Sequence, residues 1–238
     1  MRHAFRAARR LMTPALLGLA GCASLGRDAP PLEQYVLGAG RAPVPADAQA
    51  LAHAPATGLR IGVRRLDLAA YLDVPAIVVR QGANRIIVSD FHRWGEDLGD
   101  AINRQVARHL HDASSVSAVD VAPWAVRARH DYLVQLHVTR FEGVADALAS
   151  EGSARIVASW QIVRPGDGAV LARGETDAER RGWTVDDYAA LVLLLDDGLA
   201  QVAGDVLNCL ARVHASAPAV AASTRDMGAE PPQAVSCV

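Results

Sequence analysis

Val88-Ser89-Asp90-Phe91-His92-Arg93-Trp94 gathers an acid, a histidine, an arginine and two aromatic rings into seven residues. The chemistry available to such a group is general base catalysis, with Asp90 orienting His92 and Arg93 clamping an anion. A structural role is equally open to it. Phe91 and Trp94 would then staple a hairpin to the helix that follows, while the polar groups satisfy backbone at the junction, because the first four amides of a helix lack internal partners. Spacing favours the structural role.

The other candidates are thinner. His109, His111 and Asp112 suggest a metal site, but ligands at i and i+2 on a helix diverge by about 200°. They read as solvated side chains at a helix C-terminus, favoured by its dipole. Asp186-Asp187 and Asp196-Asp197 are adjacent pairs that splay apart on a helix and do not share a proton; the first reads as a cap and the second as a solvated face. His137 has no candidate partner near it in sequence. The chain has no G-x-S-x-G elbow, P-loop, H-E-x-x-H or G-x-G-x-x-G. No catalytic residue, metal or cofactor is therefore assigned.

Any such group is positioned by elements that the hydrophobic pattern outlines. Gln34 to Leu37 is a short strand, and Arg41 to Thr57, rich in Ala and Pro, is a loop. Leu59, Ile61 and Val63 alternate with Arg60, Gly62 and Arg64 as a half-buried strand does. Ile77 to Gln81 and Arg85 to Val88 form a hairpin about Gly82-Ala83-Asn84. Glu96 and Asp97 open a helix whose Leu98, Ile102, Val106 and Leu110 make one apolar stripe ending near His111 and Asp112. Strands are expected at Val119 to Trp124, Tyr132 to Phe141, Arg155 to Val163 and Ala169 to Glu175. A long helix starts at the Thr184/Asp187 capping box, and Val192, Leu195, Leu199, Val202, Val206, Cys209 and Val213 dock it across a sheet. The expected class is α+β: a mostly antiparallel sheet with two main helices packed on one face.

Composition narrows the function classes. The 238 residues carry a net charge of -2, and all 24 basic residues are arginine, so nothing draws the whole molecule to nucleic acid. Arg2, Arg6, Arg9 and Arg10 precede the apolar run Leu11 to Ala20, the pattern of a secretory signal too short to span a bilayer. Leu19-Ala20-Gly21-Cys22 resembles a bacterial lipobox, which implies cleavage before Cys22 and acylation of its thiol. Ala23, in place of the aspartate that retains such proteins at the inner membrane, implies the outer membrane. The expected organisation is a signal peptide over 1–21, an anchor and tether over 22–31, one α+β domain over 32–215 and a disordered tail over 216–238. Cys209 and Cys237 are left open between free thiols and a disulfide.

Ile61 to Leu110 resembles the signature segment of the ABC-type transport auxiliary lipoproteins, in particular the PqiC-like membrane-integrity lipoproteins. The matching parts are Tyr71-Leu72-Asp73-Val74-Pro75, Arg80 at the end of a hairpin strand, and His92-Arg93-Trp94-Gly95-Glu96-Asp97-Leu98. The early Tyr35-Val36-Leu37 and the lipobox fit as well, while the Arg41 to Thr57 loop, Arg64-Arg65 and the tail depart from the pattern. The resemblance implies a non-enzymatic accessory subunit on the periplasmic face of the outer membrane. Its partners would be a periplasmic MCE-domain protein and an inner-membrane component moving phospholipid, and a homo-oligomer is compatible. Tyr71, Arg80, His92 and Trp94 are the candidate contact or signature residues, and Cys22 the lipid anchor. Two other readings stay open: a structural assembly or pilot-like lipoprotein, and an extracytoplasmic hydrolase using His92.

Overall fold

In the computed structural model, residues 30–38, 58–223 and 234–237 are described, without side chains for 217–223. The signal segment, Cys22 and the Arg41 to Thr57 loop lie outside them. The element order is β1 (Glu33–Tyr35), β2 (Leu59–Val63), β3 (Asp67–Leu68), β4 (Ala76–Gln81), β5 (Arg85–Trp94), α1 (Leu98–His111), β6 (Val116–Val121), β7 (Tyr132–Val144), β8 (Glu151–Val163), β9 (Val170–Thr184), α2 (Tyr188–Ser223) and β10 (Val235–Cys237).

All ten strands belong to one sheet, ordered β1-β5-β4-β7-β8-β9-β10, with β2 and β3 also along β7 and β6 outside β2. The class is α+β as expected, but the sheet is mixed and not mostly antiparallel. Among the described residues only β4/β5, β7/β8 and β8/β9 run antiparallel. β2, β3 and β4 run parallel to β7 one after another, meeting it at Tyr132–Val134, His137–Val138 and Gly143–Val144. They act as one interrupted strand beside the central one. β1 and β10 add to the two ends in parallel. Alternation of apolar and polar residues is the same in either direction, so it reports burial and not strand polarity.

The two helices behave as their stripes require. Leu98, Ile102, Val106 and Leu110 on α1 are buried, as are all seven residues of the stripe from Val192 to Val213 on α2. α2 packs on β8, β9 and α1. It comes close because Gly198 has no side chain; a Cβ there would lie 2.7 Å from Ile156 Cδ1. Asp97 caps α1 by accepting from the amide of Asp100 (2.9 Å), and Asp187 caps α2 by accepting from that of Ala190 (2.9 Å). The second helix thus starts at Tyr188, with its cap three residues after Thr184.

Two expectations about polar residues change. Neither Asp196 nor His109 stands in solvent: Asp196 lies 3.9 Å from His109 Nε2, and both side chains are largely buried. His137, without a partner near it in sequence, meets one 70 residues away, with Asp67 Oδ2 2.8 Å from its Nδ1 on an exposed part of the sheet.

The segment read as a disordered tail is helical as far as Ser223 and returns at Val235–Cys237 as a strand, with 224–233 outside the described residues. Cys237 sits beside Gly174 of β9 and is disulfide-bonded to Cys209 of α2, with Cα atoms 5.8 Å apart. Gly174 makes room for both neighbours: a Cβ there would lie 2.2 Å from Trp160 Cζ2 and 2.6 Å from the Cys237 carbonyl oxygen. The bond closes a loop across a sequence separation of 28 residues. Loop-closure entropy for that length contributes about 3.5 kcal/mol. Cys237→Ala is therefore expected to lower the urea midpoint of the oxidised protein by that amount of stability, and to make unfolding insensitive to reductant.

Candidate functional site

The corner marked by the sequence is built on two irregularities in the sheet. In β7 the ladder to β8 skips Thr139, passing from the Val138–Ala158 pair to Arg140–Val157. The extra residue shifts the alternation, so that Phe141 and Gly143 continue the core face and Glu142 turns to the other. Gly143 faces Trp183 and Leu191. In β5, Ala76 pairs with Arg93 but Val78 with Val88, so the strand bulges outward between them. Ser89 Oγ accepts the His92 amide inside this bulge (3.2 Å).

The first bulge creates a requirement that Tyr71 and Arg80 meet. Glu142 is 0 % exposed although it lies off the core face, because the turn from Ala69 to Pro75 folds over it. Tyr71 Oη donates to Glu142 Oε2 (2.9 Å) and also lies 3.0 Å from the carbonyl oxygen of the skipped Thr139. Arg80 reaches the carboxylate with two nitrogens: Nε donates to Oε1, and Nη2 to Oε2 at 3.1 Å. Nη1 donates to the Ala83 carbonyl (3.2 Å), and the guanidinium carbon lies 5.6 Å from the Tyr71 ring centroid. Burial, followed by the hydrogen bond to Glu142, pushes the Tyr71 hydroxyl up to about 12. The same carboxylate raises Arg80 further above its ordinary value.

The second bulge delivers His92 and Trp94. The whole Val88–Trp94 stretch lies in β5, and not in a turn after a shorter strand. The Trp94 amide donates to Pro75 O (2.7 Å), tying the strand end to the Tyr71 turn, and its buried ring lies 5.8 Å from Phe141. His92 stacks on Tyr188 at the start of α2, with centroids 3.9 Å apart and planes 15° from parallel. Its Nδ1 is 3.3 Å from Tyr35 Oη and 3.5 Å from Glu33 Oε2. Tyr35 itself donates to Glu33, and burial together with that carboxylate pushes its hydroxyl up to about 12.

The polar partners of His92 are thus Glu33 and Tyr35 on β1; Asp90 and Arg93 stand exposed on either side of it. Trp94 is the staple the sequence suggests, but Phe91 is not: its ring stays exposed. Arg80 is not a surface arginine either, with its side chain 13 % exposed. Trp94, Tyr71 and Arg80 do meet at one corner, and His92 faces the adjoining β1 and α2. Sequence reasoning missed Glu142, Glu33 and Tyr188. Glu142 alone left a signal, as an acid inside the apolar run Phe141-Glu142-Gly143-Val144. Among the described residues no three His, Cys, Asp or Glu side chains gather as a metal requires, and no helix is long and apolar enough to cross a membrane.

The sequence model of the ABC-type transport auxiliary lipoprotein component matches residues 36–206. The chain belongs to that family. Among solved structures, this auxiliary lipoprotein is similar to a Xanthomonas campestris protein of family DUF330, at 21% identity over 79% of this chain and 96% of that one, with a TM-score of 0.59. An uncharacterized protein is similar at 17% identity, 66% and 95% coverage and a TM-score of 0.54. At these identities the likeness shows a shared fold. A PelC dodecamer from Paraburkholderia phytofirmans is looser, with 17% identity, 63% and 89% coverage and a TM-score of 0.40, and it assigns no assembly state here. No curated protein matches the chain.

Two outcomes follow from the corner. Arg80→Met leaves the buried Glu142 carboxylate without its cation, which costs about 3–5 kcal/mol. Urea unfolding should show that loss, and Arg80→Met combined with Glu142→Leu should recover much of it. Tyr71 and Tyr35 stand at about 12, and burial raises Tyr132 and Tyr188 as well. An unfolded tyrosine ionises near pH 10, so the stability these hydroxyls contribute is complete below about pH 10 and is lost as pH rises toward about 12. Absorbance at 295 nm should stay flat through pH 10 in the native protein and rise only together with unfolding.

Proposed function

We propose that this chain is a non-enzymatic accessory subunit of an MCE-type system that moves phospholipid between the two membranes. Held by a lipid on Cys22 at the periplasmic face of the outer membrane, it docks the periplasmic MCE component there. The observation that carries the reading is the family match over residues 36–206, preceded in the same chain by the Leu19-Ala20-Gly21-Cys22 lipobox. The accessory part of the reading is supported by the way the corner uses its polar groups. The flat face of His92 is covered by Tyr188, its Nδ1 lies beside Tyr35 and Glu33, and Arg80 is committed to Glu142. Groups engaged with one another in this way stabilise a junction and are not poised for a substrate.

Acylation would hold the domain at a membrane surface and raise its effective concentration for any partner that spans the periplasm. The full-length lipidated protein should therefore co-purify from detergent-solubilised envelopes with an MCE-domain protein, and its deletion should shift phospholipid between inner and outer membranes. Cys22→Ala should abolish the lipid shift control exerted by the protein without unfolding it, as read by circular dichroism. Absence of the MCE partner together with an unchanged lipid distribution on deletion sinks the transport reading. Recovery of outer-membrane assembly or secretion components in its place would point to a structural lipoprotein.

A further inference from the structure

Eight large apolar side chains are exposed among the described residues, and four of them belong to one edge of the sheet. Leu32 and Val36 flank β1, and Val88 and Phe91 bracket the bulge of β5, each between 37% and 50% exposed. The parallel register that sets Glu33 beside His92 and Tyr35 beside Trp94 carries Leu32 alongside Phe91. Strand alternation turns Leu32, Gln34 and Val36 to the face opposite Glu33 and Tyr35. Val36 Cγ1 lies 3.1 Å from where Gly95 would carry a Cβ, so its side chain rests on the backbone just past β5. Apolar residues scattered singly over a surface need no explanation, whereas a cluster on the edge of a sheet marks a contact.

Chain position says what the contact is. Leu32 stands ten residues beyond Cys22, and a fully extended tether of that length reaches about 35 Å. Whatever direction the tether takes, this edge is the part of the folded domain closest along the chain to the acyl chains. We infer that Leu32, Val36, Val88 and Phe91 rest on the lipid surface to which Cys22 fastens the protein, with the apolar side chains at the boundary between headgroups and acyl chains; this rests on the lipid-anchor reading above. Four side chains do not hold a protein on a bilayer unaided, since even one myristoyl chain binds only marginally. A short tether supplies an effective concentration in the millimolar range, which keeps a weak contact formed.

Over the two strands together, exposed Arg85 and Arg93 are matched in number by exposed Glu33 and Asp90. With no net charge on β1 and β5, the contact rests on its apolar side chains. It also gives the anchored domain an orientation. β1 and β10 lie at opposite ends of the sheet order, and β10 pairs with Ala172–Gly174 of β9, so with the β1 edge on the lipid β10 is held away from it.

The test uses the full-length lipidated protein in phosphatidylethanolamine–phosphatidylglycerol vesicles whose acyl chains are brominated. A fluorophore is attached through Phe91→Cys or, as control, through Val126→Cys, a fully exposed site elsewhere. The label at position 91 is expected to lose fluorescence to the bromines, and to do so equally when phosphatidylglycerol is omitted, while the label at 126 is unaffected. Equal fluorescence at the two positions in protein that floats with the vesicles overturns the contact and leaves the anchor standing. A label at 91 that is shielded from water but not quenched by bromine means a protein cover, a second copy or a partner, and also overturns it. A purified chain lacking acyl mass on Cys22 overturns the anchor reading and this inference together.

Discussion

Glu142 lies on the face of β7 turned away from the core and yet has no solvent exposure, so its carboxylate needs a cation and further donors within reach. Meeting that need fixes much of the neighbouring structure. Arg80 has to arrive from β4, which sets β4 against the far end of β7, and Tyr71 has to arrive from the turn before it. With β4 placed, its hairpin partner β5 is placed, and the Pro75 carbonyl then receives the Trp94 amide at the end of β5. β1 takes its register from that same strand end. A buried pair of this kind adds little net stability compared with apolar residues of the same volume, but breaking it is expensive. Its effect is to penalise arrangements in which β4 sits elsewhere along β7.

The mixed sheet follows from how the chain approaches β7. One edge of β7 is filled by its antiparallel hairpin partner β8, while the other is shared among β2, β3 and β4 running parallel to it. Parallel neighbours need long connections. Here the route from β2 back to β7 passes through the β4–β5 hairpin, α1 and β6, which places α1 where it can pack on β6 and α2. The two ends of the main strand order carry strands only three residues long, β1 and β10, and short edge strands limit sheet-to-sheet pairing. The disulfide to α2 holds the second of these in place.

The helices were legible in the sequence because burial of a helix face is a local property. Leu98, Ile102, Val106 and Leu110 reveal their stripe from four residues, and the α2 stripe runs unbroken to Val213. Asp187 was legible as a cap, although the Thr184/Asp187 pattern places the helix start too early, and Asp97 reads in the sequence only as an acid that complements the helix dipole. Strand polarity was not legible, since alternation has no direction. Nor was the extent of β5, where a bulge breaks the alternation from Ser89 to Phe91 and gives a strand the look of a turn. At the site, Tyr71, Arg80, His92 and Trp94 stood out by resemblance, but what each touches lies far along the chain. Arg80 meets Glu142 across 62 residues, and His92 meets Glu33 and Tyr188 on two other elements. No spacing rule reaches such pairs.

A segment that marks a family by sequence is not by that fact the surface through which its members act. In this chain Trp94 is core, Arg80 is sequestered by Glu142, and Tyr71 donates to the same carboxylate beside the skipped carbonyl of β7. Replacing any of them perturbs a junction before it perturbs a partner, so a loss of function on such a substitution would say little about contacts unless folding were measured alongside. Residues that remain free to touch something include Leu32 and Val36 beside β1 and Val88 and Phe91 at the bulge, none of which is among the four candidate contact residues Tyr71, Arg80, His92 and Trp94. The bulge links the two sets. By turning His92 and Trp94 inward to meet β1, α2 and the Pro75 turn, it leaves Phe91 outside, so the packing that makes the corner rigid also supplies the exposed apolar edge.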